Sequence, residues 1–218
     1  MMKTNIFFKL TLAIIFSTAI VRYSYSQDAG DIFTQSKAKI VWLGVDFTQV
    51  QLIGPLGTVS PEELLPLFDQ INELIVNEWD KFNFREALRK RDIPYDLGPV
   101  AELNAQIDPY NIIIPSASSY DRFIDVDQVA GLVKQYDTYG EDGIGLVFFM
   151  EYLDKNKESG AMWMAFFRLS DQRLLLAERM KGAAGGMGFR NHWANCVFEV
   201  ITQLRDRKFE EMKGRYCD

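Results

Sequence analysis

Apolar positions recur along the chain with two periods, one near a helical turn and one of two residues, and each marks a different kind of element. The helical period is clearest after Ser60-Pro61-Glu62-Glu63, where an N-cap serine, a proline at the first helical position and a glutamate at the third make a capping box. Leu64, Phe68, Ile71, Ile75 and Trp79 follow on one face. A second helix is predicted from Asp125 to Tyr136, with Val126, Val129, Ala130 and Val133 on one side. A last helix, from Asn191 to about Lys213, carries Trp193, Val197, Val200, Ile201 and Leu204 on its inner stripe, with Arg205, Asp206, Arg207, Glu210 and Glu211 outside.

The strand signal dominates between these helices. Gly143 to Leu153, Ala161 to Leu169 and Arg173 to Arg179 are apolar runs divided by a polar turn, Asp154 to Gly160, and a tight Ser170-Asp171 turn, which predicts a three-strand meander. Alternate residues are apolar on both sides, so both sheet faces should be covered, by helices of the same chain or by a partner. Lys37 to Phe47 reads as a first strand after a polar leader, Gln27 to Ser36, and Gly54-Pro55-Leu56-Gly57 as a loop. Phe84 to Arg91 is a helical turn or two. Beyond the breaks at Ile93-Pro94 and Gly98-Pro99, short strands are expected near Val100 to Leu103 and at Asn111 to Pro115. Residues 27–218 thus read as a single α/β domain. It has a central mixed sheet, a C-terminal three-strand antiparallel meander and helices packed on the sheet.

Composition narrows the function more than the fold. The 218 residues are 48% apolar and 25% charged, as in an ordinary globular chain, and a net charge of −6 opposes a broad nucleic-acid surface. The first 26 residues read as a signal peptide. Lys3 and Lys9 precede the apolar run Leu10 to Val21, and Ser24 and Ser26 place small residues before a cleavage site at Gln27. That run falls short of the roughly 20 residues of a spanning helix, and no later stretch reaches that length. The expected location is extracytoplasmic, periplasmic or secreted. There Cys196 and Cys217 either pair or remain as two free thiols.

Candidate chemistry centres on the loop Gly182-Ala-Ala-Gly-Gly-Met-Gly188-Phe-Arg-Asn-His192, between a strand and a helix. Backbone N–H groups and a helix N-terminus in that setting can cradle an anion, with Arg190 and His192 adding positive charge. Gly185, Gly186, Gly188, Arg190 and His192 are therefore the candidate ligand or partner site. The spacing matches neither a dinucleotide fingerprint nor a P-loop, and a purely structural use of the glycines competes with it.

Other chemistry has less to build on. As the sole histidine, His192 would have to serve any triad, and Ser116, Ser118 and Ser119 sit in no nucleophile-elbow sequence. Asp125 with Asp127, Glu141 with Asp142, and Glu102 or Glu151 are the carboxylates that could flank a cleft. The basic cluster Arg85, Arg89, Lys90 and Arg91 suits a solvated helix end, and Trp42, Trp79, Trp163 and Trp193 suit the core. No zinc or calcium spacing is present.

Gly145-Leu-Val-Phe-Phe149, Phe166-Phe-Arg-Leu-Ser-Asp-Gln-Arg-Leu-Leu175, Gly182 with the helix from Asn191, and Lys39 to Phe47 together resemble a bacterial envelope fold. That fold occurs in the periplasmic domain of the curli secretion channel, the lipoprotein activators of penicillin-binding proteins and the N-terminal domain of the Tol-Pal translocation protein. The Thr-Gly usual in its turn is Asp171-Gln172 here, and the lipoprotein cysteine and the membrane-inserting hairpin have no counterpart. The resemblance implies an extracytoplasmic binding or assembly domain without catalysis.

These readings converge on an exported, non-enzymatic envelope protein acting as a protein-interaction or assembly module. Its partner would be an envelope protein or a second copy, with no cofactor, metal, catalytic residue or nucleic acid. The competing reading is a small secreted hydrolase or ligand-binding protein that uses carboxylates or the glycine-rich loop. Arg190, His192 and a carboxylate around a deep cleft would favour the competitor, and a flat patch with isolated polar groups the first reading.

Overall fold

The computed structural model describes residues 28–35, 38–115, 124–138 and 141–217. The expected signal peptide and Ser116, Ser118 and Ser119 lie outside the described residues. Six strands form one mixed sheet: β1 (Ile40–Asp46), β2 (Gln51–Ile53), β3 (Ile113–Ile114), β4 (Ile144–Asp154), β5 (Ser159–Arg168) and β6 (Arg173–Ala183). The last three are the expected antiparallel meander. β1 and β2 run parallel to β4 along the same edge, β1 against Ile144 to Phe149 and β2 against Tyr152 to Asp154, with β3 parallel outside β2. β2 is too short and too polar at Gln51 to register as a strand in the sequence.

Helices cover both faces. On one, α2 (Leu64–Asn77), entered through a 3₁₀ turn at Pro61–Glu63, and α6 (Gly188–Gln203) pack over Trp42, Phe148, Met150, Met162, Met164 and Phe166. On the other, α4 (Gly98–Asn104) and α5 (Val126–Leu132), continued by a 3₁₀ turn at Val133–Gln135, cover Val41, Leu43, Val147, Phe149, Ala165 and Phe167. The double-sided apolarity of the meander is therefore satisfied within the chain. It supplies no argument for a partner.

Three expectations need correction. The polar leader contains α1 (Ala29–Thr34), whose capping box joins Asp28 and Asp31 and whose Ile32 and Phe33 are buried, with Phe33 against Phe209 and Tyr216. Val100 to Leu103 is helical, because Pro99 stands in the first turn of α4, where its missing N–H costs nothing. The last helix begins at Gly188 and passes through a π turn, Leu204–Lys208, into α7 (Phe209–Tyr216). The basic cluster lies around the short helix α3 (Phe84–Ala87), and two of its members hold the fold together. Arg89 pairs with Glu210 over the Phe209 ring, and Lys90 donates to the Gln35 carbonyl at 2.6 Å.

Two polar devices hold the strands that the site depends on. Beyond its pairing with β4, Val45 of β1 receives a substitute strand: the Asn72 side chain accepts from its N–H at 2.7 Å and donates to its carbonyl at 3.0 Å. Asn104 does the same for the Phe47 N–H and Val45 carbonyl. Next to them buried Asp46 accepts from Thr48 and from the Tyr136 hydroxyl, yet burial pushes its carboxyl above the ordinary range. On the opposite edge, Asn195 and Gln203 donate to the Ala183 and Lys181 carbonyls of β6, at 3.1 and 2.7 Å, which blunts an otherwise open strand.

Candidate functional site

The expected loop from Gly182 to His192 is shorter than its sequence suggests: Gly182 still pairs within β6, α6 already begins at Gly188, and the end of β6 and the connecting residues 184–187 combine a close approach with a sharp turn. A Cβ on Gly182 would stand 2.0 Å from the Cys196 carbonyl, so only glycine lets α6 cross β6 this closely. Gly186 and Gly188 have φ of 92° and 77°, the left-handed region that glycine enters freely. The turn brings the start of α6 against the end of β4 and the loop after β2.

A cavity of about 270 Å³ opens between these three pieces. Leu52, Leu56, Val59, Leu153, Phe189 and Trp193 give it an apolar lining, and Gly186 and Gly188 form part of its wall. Lys155 and His192 are the basic side chains that line it. The hollows beside Trp79 and beside Thr48 and Gln135 are open surface depressions.

At the mouth, Glu158 bridges both basic groups. Its carboxylate oxygens lie 2.9 Å from Lys155 Nζ and 2.8 Å from His192 Nε2, and Lys155 Nζ is 3.3 Å from the same ring nitrogen. The Lys155 hydrogen bond, reinforced by the charge of Lys155 and of His192, holds the Glu158 carboxyl below the ordinary carboxylate range. His192 is mostly buried and meets the Trp193 ring edge to face at 4.6 Å, which fixes the imidazole at the rim. Glu158 itself has φ of 48°, a left-handed conformation that costs a residue with a Cβ about 1–2 kcal/mol relative to the ordinary regions.

Of the five residues singled out from the sequence, Gly186, Gly188 and His192 meet at this cavity. Gly185 faces Asn195 instead, and exposed Arg190 donates to its neighbour Asn191, at 3.4 Å, away from the cavity lining. Substituting Gly185 would therefore test packing against α6, not the cavity. Lys155 and Glu158 escaped notice because they sit in a polar hairpin turn 34 or more positions before His192 in sequence; only the antiparallel pairing of β4, β5 and β6 joins them. Asx contacts from buried Asp154 to the Asn156 and Lys157 amides shape that turn.

The carboxylates that could have flanked a cleft do not line this cavity. Asp125 caps α5, Glu141 pairs with Lys39 and Glu102 lies exposed on α4. Buried Glu151 takes a two-pronged bond from Arg179, at 2.6 and 3.0 Å. Trp42 is core, whereas Trp193 contributes to the cavity wall. Both cysteines are free, Cys196 buried and Cys217 half-buried. Among the described residues no cluster of His, Cys, Asp and Glu could hold a metal ion, and no helix is long and apolar enough to cross a membrane. No family model matches the chain, and no curated protein does either.

Proposed function

We propose that the chain is an exported, non-enzymatic binding module of the cell envelope, and that the cavity at the start of α6 is its working surface. The observation that carries this reading is an apolar hollow walled in part by the glycine-rich turn, and that turn carries an exposed methionine. Met187, between the two glycines of the wall, is 89% exposed. A thioether in that position adapts to partners of varied shape and has no role in the core. The resemblance of the meander and last helix to envelope assembly domains supports the same reading.

Of the cluster that would favour the competing reading, His192 and a carboxylate, Glu158, meet at the cavity while Arg190 does not, which supports ligand binding there; a His192 triad is opposed by the orientation of the ring. In a nucleophilic triad the carboxylate orients one imidazole nitrogen and leaves Nε2 for the hydroxyl. Here Nε2 is the atom that faces Glu158 and Lys155. The test is affinity capture from the native envelope fraction with the wild-type chain and with Thr58→Trp, which places an indole at the mouth from an exposed position. A partner recovered by the wild type and at least ten-fold depleted with Thr58→Trp, at equal stability, is expected. Equal recovery by both would move the working surface elsewhere.

A further inference from the structure

An exposed pair such as Lys155 with Glu158 is ordinary on a protein surface; here the mostly buried His192 of the cavity wall joins it. The cavity mouth thus keeps a lysine and a histidine turned toward the same few ångströms of space, with one carboxylate between them. That carboxylate comes from an exposed side chain on a backbone position that favours glycine. Its main chain is fastened by the Ala184 N–H, which donates to the Glu158 carbonyl at 2.8 Å, so the turn is fixed while the side chain stands at the rim. The conformation is that of a turn, shared by Gln172 between β5 and β6, and what bears on the cavity is the carboxylate that it places beside Lys155 and His192.

We infer that the cavity receives one apolar group bearing a carboxylate, and that the ligand carboxylate replaces Glu158 between Lys155 and His192. This rests on the reading of the cavity as the binding surface and names the chemistry it selects. The apolar lining takes the tail, at a volume close to the lower end for small-molecule pockets, so the tail is a single short chain or ring. The two basic groups take the charged end. Two further features suit an anion here: α6 has no side-chain cap at Met187 and no acidic residue in its first turn. In the free protein Glu158 fills the place of the ligand and keeps Lys155 and His192 from pairing indiscriminately with anions that lack the tail. The same chemistry is offered by a short fatty acid and by the C-terminal residue of a polypeptide.

Calorimetric titration of the purified chain with octanoate and with N-acetylphenylalanine tests this, with octanol, octylamine and N-acetylphenylalaninamide as controls of matched tail. Expected is saturable binding of at least one carboxylate, about ten-fold tighter to Glu158→Gln, at least ten-fold weaker to Lys155→Met, and abolished in Thr58→Trp. Octanoate alone would identify an acyl source, and N-acetylphenylalanine alone a peptide terminus. Should the controls bind as tightly as the acids, with Glu158→Gln without effect, the carboxylate assignment is overturned while the cavity stands as a binding site. Absence of any binding to the wild type and to Glu158→Gln overturns the assignment as well, and the capture experiment then decides separately whether the cavity is the working surface.

Discussion

Cys196 and Cys217 are both free but sit in different environments. Cys196 packs inside α6 against Gly160 and Gly182 of the sheet, and burial pushes its thiol up to about 12. Cys217 follows α7 and is half-buried, with its Sγ 3.8 Å from the Gly30 carbonyl. One thiol per chain is therefore expected to react with a disulfide reagent in native buffer, and the second only on unfolding; two rapid equivalents would contradict this burial. The raised thiol also has a signed consequence. The folded state holds the Cys196 proton more tightly than the unfolded chain, so its contribution to stability is complete below about 9 and is lost as pH rises toward about 12. Cys196→Ala should show a shallower alkaline loss of stability than wild type, read as the difference between denaturation curves across that range.

At the scale of elements, the sequence was most legible where one period held over many residues. The cap at Ser60, the apolar stripe of α2 from Leu64 to Ile75 and the three meander strands are all present, though α2 ends at Asn77 before Trp79 and β6 runs on to Ala183 past the expected end at Arg179. The pattern failed where position mattered more than period. Gly98-Pro99 breaks a strand but opens a helix, and the six residues of α1 depend on a cap and two anchors instead of a repeat. Asn72 shows the same limit: it occupies a buried position of α2 that periodicity assigns to an apolar residue, and its amide completes β1. Asn72→Ala leaves the Val45 N–H without its side-chain acceptor, while the Val45 carbonyl keeps Asn104, and should cost about 1–3 kcal/mol in urea unfolding, the range for a buried polar group left unpaired. A loss under 0.5 kcal/mol would mean that β1 needs no such partner.

At the scale of the whole molecule, the candidate site was half legible. The glycine-rich loop and His192 stand together in the sequence, so the α6 side of the cavity is visible there. The opposite side comes from the loop after β2 and the turn after β4, which are brought to α6 only by parallel pairing of β2 with β4 and by the meander. Charge at the mouth thus arises from tertiary structure and leaves no local motif. The envelope address, the partner and the ligand class are proposals that converge on this one place. The most direct measurement is site-specific photo-crosslinking in native cells, with a photoreactive residue at Thr58 on the cavity mouth and, as control, at exposed Lys134 in the 3₁₀ turn after α5, on the other sheet face. A discrete adduct from position 58, absent from position 134 and suppressed by Lys155→Met, is the predicted result. Adducts from position 134 alone, or equally from both, would contradict the cavity as the surface through which this protein works.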